Sequence, residues 1–349
     1  MFLSWRGLVA GSAMCGLALL VGCSPKTAPS GSAGGAASAS GGAAGVIQID
    51  GSSTVFPVAE AVAEEFETET KNRVTVGRSG TGGGFKKFIR GEVDICNASR
   101  PILTDEMKGA KEAGIEFLEL PICFDALTVA VNPQATWLDS ITVEELKKIW
   151  EPAAQEKITK WNQIRPEWPD EKIALFGAGS DSGTFDYFTE AVCGKAKSSR
   201  GDFTASEDDN TLVQGIEGDK FALGYIPFAY YDANKAKLKA LKIDWEKDTL
   251  GPIAPSAEAV VGGQYNPLSR PLFIYVNKKS LEKPEVKTFI DYYLTNVAKL
   301  AAEVKYLPLP AKAYDMVKDR VAKVKTGSGF SGAPEVGLPV EDILKREPK

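Results

Sequence analysis

Three short loops of glycine and hydroxyl residues, each set between an apolar run and an amphipathic stretch, constrain this chain more than any other feature. They are Gly51-Ser52-Ser53-Thr54, Ser79-Gly80-Thr81-Gly82-Gly83-Gly84 and Ser180-Asp181-Ser182-Gly183-Thr184. A turn of this kind leaves backbone N–H groups unpaired at a helix start, where partial positive charge collects. Three such starts aimed at one point would hold a small oxyanion. Each loop taken alone is an ordinary cap, because serine, threonine and glycine are common at helix starts.

The chain has 349 residues, 44% apolar and 25% charged, enough for two packed lobes. Its formal net charge of −5 argues against nucleic acid, whose phosphate backbone demands a clustered basic surface. An anion ligand therefore depends on local dipoles. The chain contains no histidine, which removes the usual general base and the commonest metal ligand and excludes serine–histidine hydrolysis. No clustered carboxylate metal site and no Gly-x-Ser-x-Gly elbow stands in their place. The chain reads as a binder without metal or cofactor; a phosphatase using one of the serines is the competing class.

The N-terminus carries an export signal. Arg6 precedes an apolar stretch, Leu8 to Val21, too short for a permanent membrane anchor and followed by Cys23. Leu20-Val21-Gly22-Cys23 resembles a bacterial lipobox, in which the cysteine is acylated and residues 1–23 form a lipoprotein signal peptide. Residues 24–45, nearly all Gly, Ala, Ser, Pro and Thr, read as a flexible tether. Three cysteines follow, Cys96, Cys123 and Cys193, which allow one disulfide at most. Cys96 and Cys123 sit in apolar runs, as buried free thiols do.

Strand and helix patterns alternate after the tether. Val46-Ile47-Gln48-Ile49 precedes a helix pattern with Val58, Val62 and Phe66 at four-residue spacing and Pro57 in its first turn. Val74-Thr75-Val76 precedes Phe85, Phe88 and Ile89, and Val93-Asp94-Ile95-Cys96 leads into Asn97-Ala98-Ser99-Arg100-Pro101. The alternation predicts an α/β architecture with a largely parallel sheet. Two later runs look alike, 125–133 and 270–278, both ending in Val-Asn before their last residue. They read as two crossings between lobes, with 46–132 and 269–349 forming lobe I and 133–268 forming lobe II. Two apolar strands in one large sheet would leave the same pattern. On the lobe reading a ligand touching all three loops sits in the interlobe cleft.

The motifs Asp50-Gly51-Ser52-Ser53-Thr54-Val55-Phe56-Pro57, Gly82-Gly83-Gly84-Phe85-Lys86-Lys87-Phe88, Gly91-Glu92-Val93-Asp94-Ile95 and Ser182-Gly183-Thr184-Phe185 occur in that order. In them the chain resembles the substrate-binding protein of the bacterial Pst-type phosphate ABC transporter. The resemblance implies a two-lobed, type II periplasmic-binding-protein fold, with a central mixed sheet in each lobe and two interlobe crossings. It implies a monomer, lipid-anchored outside a bacterial cytoplasmic membrane, that closes over inorganic phosphate and presents it to ABC permease subunits. Another tetrahedral oxyanion, such as sulfate, molybdate or arsenate, is the neighbouring possibility.

Carried over by position, the resemblance makes Ser53, Thr54, Thr81, Gly82, Ser182, Gly183 and Thr184 phosphate-binding, with Ser79 competing with Thr81. It makes Asp94 the acceptor of a proton on the phosphate, a role that excludes fully deprotonated sulfate. The family's arginine shortly before Ser-Gly-Thr is missing here, where Gly177-Ala178-Gly179-Ser180-Asp181 stands. Arg100, extended by the following Pro101, is expected to substitute with its planar fork. Asp181 is expected to cap the third helix, and Arg270 is a candidate for an ion pair between lobes.

Overall fold

The computed structural model describes residues 45–348 apart from Asp181, Pro334 and Val336. The signal peptide, Cys23, all of the tether except Gly45, and the expected cap Asp181 lie outside the described residues. The strands are β1 (Ile47–Gly51), β2 (Val74–Val76), β3 (Ile95–Ala98), β4 (Phe117–Val131), β5 (Ser140–Thr142), β6 (Ala174–Ala178), β7 (Thr204–Ser206), β8 (Ala222–Pro227), β9 (Lys239–Ala240), β10 (Lys242–Asp244), β11 (Ser269–Asn277) and β12 (Leu307–Pro308).

Ten of them form one sheet in the order β2-β1-β3-β11-β4-β8-β6-β7, with β9 and β12 also pairing β4. The outer pairs β1–β2, β1–β3, β6–β7 and β6–β8 are parallel, a pairing that needs crossover connections of the kind these helices supply. The central pairs β3–β11, β11–β4 and β4–β8 are antiparallel, so the sheet is mixed. Strand β4 joins its halves: Phe117–Ala126 pairs with β11 and Leu127–Val131 with β8. All fifteen β4 residues are buried, and at about 3.3 Å per residue the strand runs about 50 Å. The second apolar run behaves differently, because β11 pairs with β3 and β4 only.

The helices follow from their apolar faces. Phe56–Thr70 buries Val58, Val62 and Phe66, carries proline in its first turn, and packs Phe66 edge-on against Phe289 at 5.0 Å. Thr81–Ile89 buries Phe85 and Phe88. Across the sheet, Gly183–Cys193 buries Phe185 and Phe188, with Phe188 stacked on Tyr225 of β8 at 3.7 Å. Such contacts add about 0.5–1.5 kcal/mol beyond area burial.

The C-terminal segment is tied down by Glu119, whose buried carboxylate accepts hydrogen bonds from Tyr275, Ser328 and the Gly329 N–H. Cys96 and Cys123 are buried free thiols and Cys193 is a free, half-buried one, so no disulfide forms among the described residues. Burial pushes the Cys96 and Cys123 thiols well up from their ordinary pKa. No helix among the described residues is long and apolar enough to cross a membrane.

Candidate anion-binding site

The first loop is the hub around which the others assemble. Gly51 ends β1 at φ 145°, and a Cβ there would lie 2.1 Å from the Asn97 carbonyl oxygen, so only glycine lets the two strand ends approach. The Ser52 N–H donates to that same carbonyl at 2.9 Å, and the Ser52 hydroxyl accepts from the Thr54 N–H at 3.2 Å. The turn then opens directly into the Phe56–Thr70 helix.

Asp50 fastens the second loop to the first. Its carboxylate accepts from the Gly51 N–H at 2.6 Å, from the Ser79 N–H and hydroxyl at 2.9 and 2.7 Å, and from Lys87. Burial opposes ionisation of Asp50, but the Lys87, Ser79 and Gly51 donors outweigh it and hold the pKa below the ordinary carboxylate range. The Gly80 N–H donates to the Gly51 carbonyl at 2.8 Å, and a Cβ on Gly84 would stand 2.5 Å from the Gly51 Cα. The start of the Thr81–Ile89 helix is thereby pressed onto the first loop. Ser79 has its hydroxyl committed to Asp50, which leaves Thr81 as the hydroxyl facing the end of β3.

Thr81 Oγ1 lies 3.1 Å from Ser99 Oγ and accepts the Ser99 N–H at 3.2 Å. Arg100 follows, with Nη2 3.9 Å from the position a Gly82 Cβ would take. Its fork donates bidentately to Glu106 at 2.8 Å through both nitrogens. Burial works against the charged Arg100, and the Glu106 hydrogen bonds and charge outweigh it, leaving the pKa raised. Arg100 therefore stays cationic beside Gly82.

The third loop reaches the hub from the other half of the sheet. Ser182 caps the Gly183–Cys193 helix through its hydroxyl, which accepts the Thr184 N–H at 3.1 Å. A Cβ on Gly183 would fall 2.8 Å from the Thr54 Cα and 2.9 Å from its hydroxyl, so the third helix start and the first loop are in direct contact. One turn along, the Asp186 carboxylate accepts from the Ser53 hydroxyl at 3.4 Å and pairs with Lys197 at 3.8 Å. Its other oxygen, Oδ1, is buried without a hydrogen bond, and burial raises the Asp186 pKa.

A second guanidinium completes the arrangement. Arg270 of β11 donates to the Thr54 hydroxyl at 3.4 Å and to Glu190 of the third helix at 3.2 Å, and lies 3.6 Å over the Tyr187 ring. It stands opposite Asp125 in the β4–β11 register, with Nε 3.6 Å from Asp125 Oδ2. Burial pushes the Asp125 pKa up to about 6, against the pull of Arg270. Arg270 was expected only as an interlobe ion pair, yet it also touches the first loop. The signal lay in the two similar runs, since Asp125 and Arg270 open them with opposite charges.

Ser53, Thr54, Thr81, Gly82, Arg100, Ser182, Gly183 and Thr184 thus lie in one linked set of turns. The expectation for Asp94 is corrected. Asp94 precedes β3, at the end of the strand away from Arg100, and accepts from Ser280 at 2.7 Å, Lys283 at 2.7 Å and the Gln48 N–H at 3.0 Å. The carboxylate that meets the first loop from the third loop's helix is Asp186, which the helix pattern did not distinguish from a solvated residue. No group of three or more metal-ligating side chains occurs among the described residues. The amide, hydroxyl and guanidinium donors of these turns suit the binding of a small anion.

A family model described as a PBP superfamily domain matches residues 36–297. The chain is 49% identical over 303 residues to Protein SphX of Synechocystis sp., covering 86% of this chain and 89% of that protein. It is 37% identical over 286 residues to the phosphate-binding protein PstS of Staphylococcus saprophyticus, covering 80% and 86%. Among solved structures it is similar to a possible phosphate binding protein from Planctomyces limnophilus, with a TM-score of 0.78, 48% identity, and coverage of 80% of this chain and 98% of that one. A putative phosphate ABC transporter substrate-binding protein from Clostridium perfringens, solved with bound phosphate, matches with a TM-score of 0.52 at 26% identity, covering 76% and 100%.

Proposed function

Because the chain belongs to the PBP superfamily and, within it, to the Pst-type phosphate-binding proteins, we propose that it captures inorganic phosphate outside the cytoplasmic membrane and delivers it to an ABC permease. The observation that carries this reading is the contact of Gly183 with Thr54, which brings a helix start from one half of the sheet onto the loop that organises the other. Phosphate in this site takes N–H groups and hydroxyls from Ser53, Thr54, Thr81, Gly82, Ser182, Gly183 and Thr184. Each helix start contributes about 0.3–1 kcal/mol through its dipole. Arg100 and Arg270 supply the cationic charge, which favours a dianion despite the negative net charge of the chain.

Selectivity rests on Asp186. A carboxylate beside Ser53 accepts a hydrogen bond from a protonated phosphate oxygen and opposes sulfate, which carries no proton at neutral pH. Capture proceeds by movement of lobe II (133–268) against lobe I (46–132 and 269–349), the ligand favouring the closed population. The lipid on Cys23 and the tether of residues 24–45 keep the monomer near its permease.

Calorimetric titration at neutral pH tests both parts. Wild type is expected to bind phosphate and to ignore sulfate, and Asp186→Asn to admit sulfate. Equal binding of the two anions by wild type would remove Asp186 from the selectivity role and favour a general oxyanion binder.

A further inference from the structure

A cavity of about 250 Å³ adjoins the anion loops and is not needed by inorganic phosphate. Ser99, Arg100 and Arg270 line it, and the same three residues contact Thr81, flank Gly82 and touch Thr54 respectively. The anion site and the cavity therefore share a wall. Away from that wall the lining is mostly apolar, with Phe124, Val260, Phe330 and Leu338 contributing, and it also includes Glu190 and Glu335. The floor is held in place, because Phe330 packs edge-on against Phe273 at 5.6 Å and its own N–H donates to the buried Ser328 hydroxyl.

A phosphate ion has four polar oxygens and gains nothing from apolar walls. Apolar lining with a few convergent polar groups at one end is the usual character of a small-molecule pocket. Here the polar end holds two guanidinium groups that also border the anion site, with Glu190 paired to Arg270 beside them.

Building on the phosphate reading above, we propose that this chamber receives the organic substituent of a small alkyl phosphonate or phosphomonoester whose phosphoryl oxygens occupy the anion loops. One position on phosphorus then points between Arg100 and Arg270 into the chamber, and the remaining oxygens keep the helix-start donors. The walls favour a short uncharged substituent, because a charged one would lose its hydration against Phe124, Val260 and Phe330.

Ethylphosphonate and inorganic phosphate, titrated separately and in competition into the purified protein, provide the test. Ethylphosphonate is expected to bind within about tenfold of phosphate, since a methylene seated in an apolar pocket is worth roughly 10–200-fold and offsets the hydrogen bonds lost with one phosphate oxygen. Ala191→Phe, which projects into the chamber from the third helix, is then expected to weaken ethylphosphonate by about 30-fold or more while leaving phosphate within about threefold. Leu338→Trp fills the chamber from the opposite wall and is expected to act alike. The inference is overturned if phosphate binds normally and millimolar ethylphosphonate does not displace it, or if either filling variant weakens both ligands equally. Absence of phosphate binding to wild type instead removes the phosphate reading itself, and this inference with it.

Discussion

A charged residue stands just beyond each end of β3, Asp94 before Ile95 and Arg100 after Ala98, and the fold uses them in opposite ways. Asp94 is sealed by the Gln48 N–H of the neighbouring strand β1 and by Ser280 and Lys283, which follow β11. Arg100 keeps one face on Glu106 and presents the other toward Gly82. Five residues, 95–99, separate the two environments by about 20 Å of extended chain. The same short segment thus serves architecture at one end and ligand charge at the other. Parallel strands direct their carboxyl ends toward the helix starts, and ligands collect there.

The largest effect that bears on this contrast is expected from Arg270→Ala. Removing one member of a buried charge pair costs about 2–5 kcal/mol, so phosphate affinity in calorimetry should fall by about 30-fold or more. The melting temperature should fall too, because Asp125 loses its partner in a buried position. Affinity equal to wild type would show that Arg270 serves the sheet alone and that the cationic end of β3 acts without help.

Arg100→Ala comes next. Loss of one hydrogen-bonding charge is worth about 1.5–3 kcal/mol, which predicts roughly 10–100-fold weaker phosphate binding, with a smaller drop in melting than for Arg270→Ala because Glu106 keeps the Leu103 N–H. Unchanged affinity would break the contrast by making Arg100 as structural as Asp94. Asp94→Asn should have the smallest effect and the inverse pattern, with stability reduced by about 1–3 kcal/mol in denaturant melts and phosphate affinity unaltered. A loss of affinity with an unchanged melt would return Asp94 to the ligand.

Much of this site was legible from local patterns. The three loops, the helices they open and the buried faces of Val58, Val62, Phe66, Phe85 and Phe88 follow from capping chemistry and apolar spacing within a dozen residues. The two apolar runs at 125–133 and 270–278 were visible as a pair, and they prove to be neighbours, with Asp125 opposite Arg270. That they belong to one continuous ladder was left open by the pattern, because a strand crossing between halves and a strand within one half have the same apolar composition. Asp94 misled for a related reason: a carboxylate at a strand end looks the same whichever end faces the ligand.

The chain alone therefore determined where backbone donors gather, because glycine, serine and threonine act on turns through their immediate neighbours, and it determined that no histidine chemistry is available. Only the tertiary structure decided which charges meet them. Ser53 reaches Asp186 across 133 residues, and Arg270 reaches Thr54 across 216. Partners so distant in sequence are selected by the pairing of β4 with β11 and by the close approach of Gly183 to Thr54. Backbone geometry is written locally, whereas the environment of a charge depends on every element packed around it.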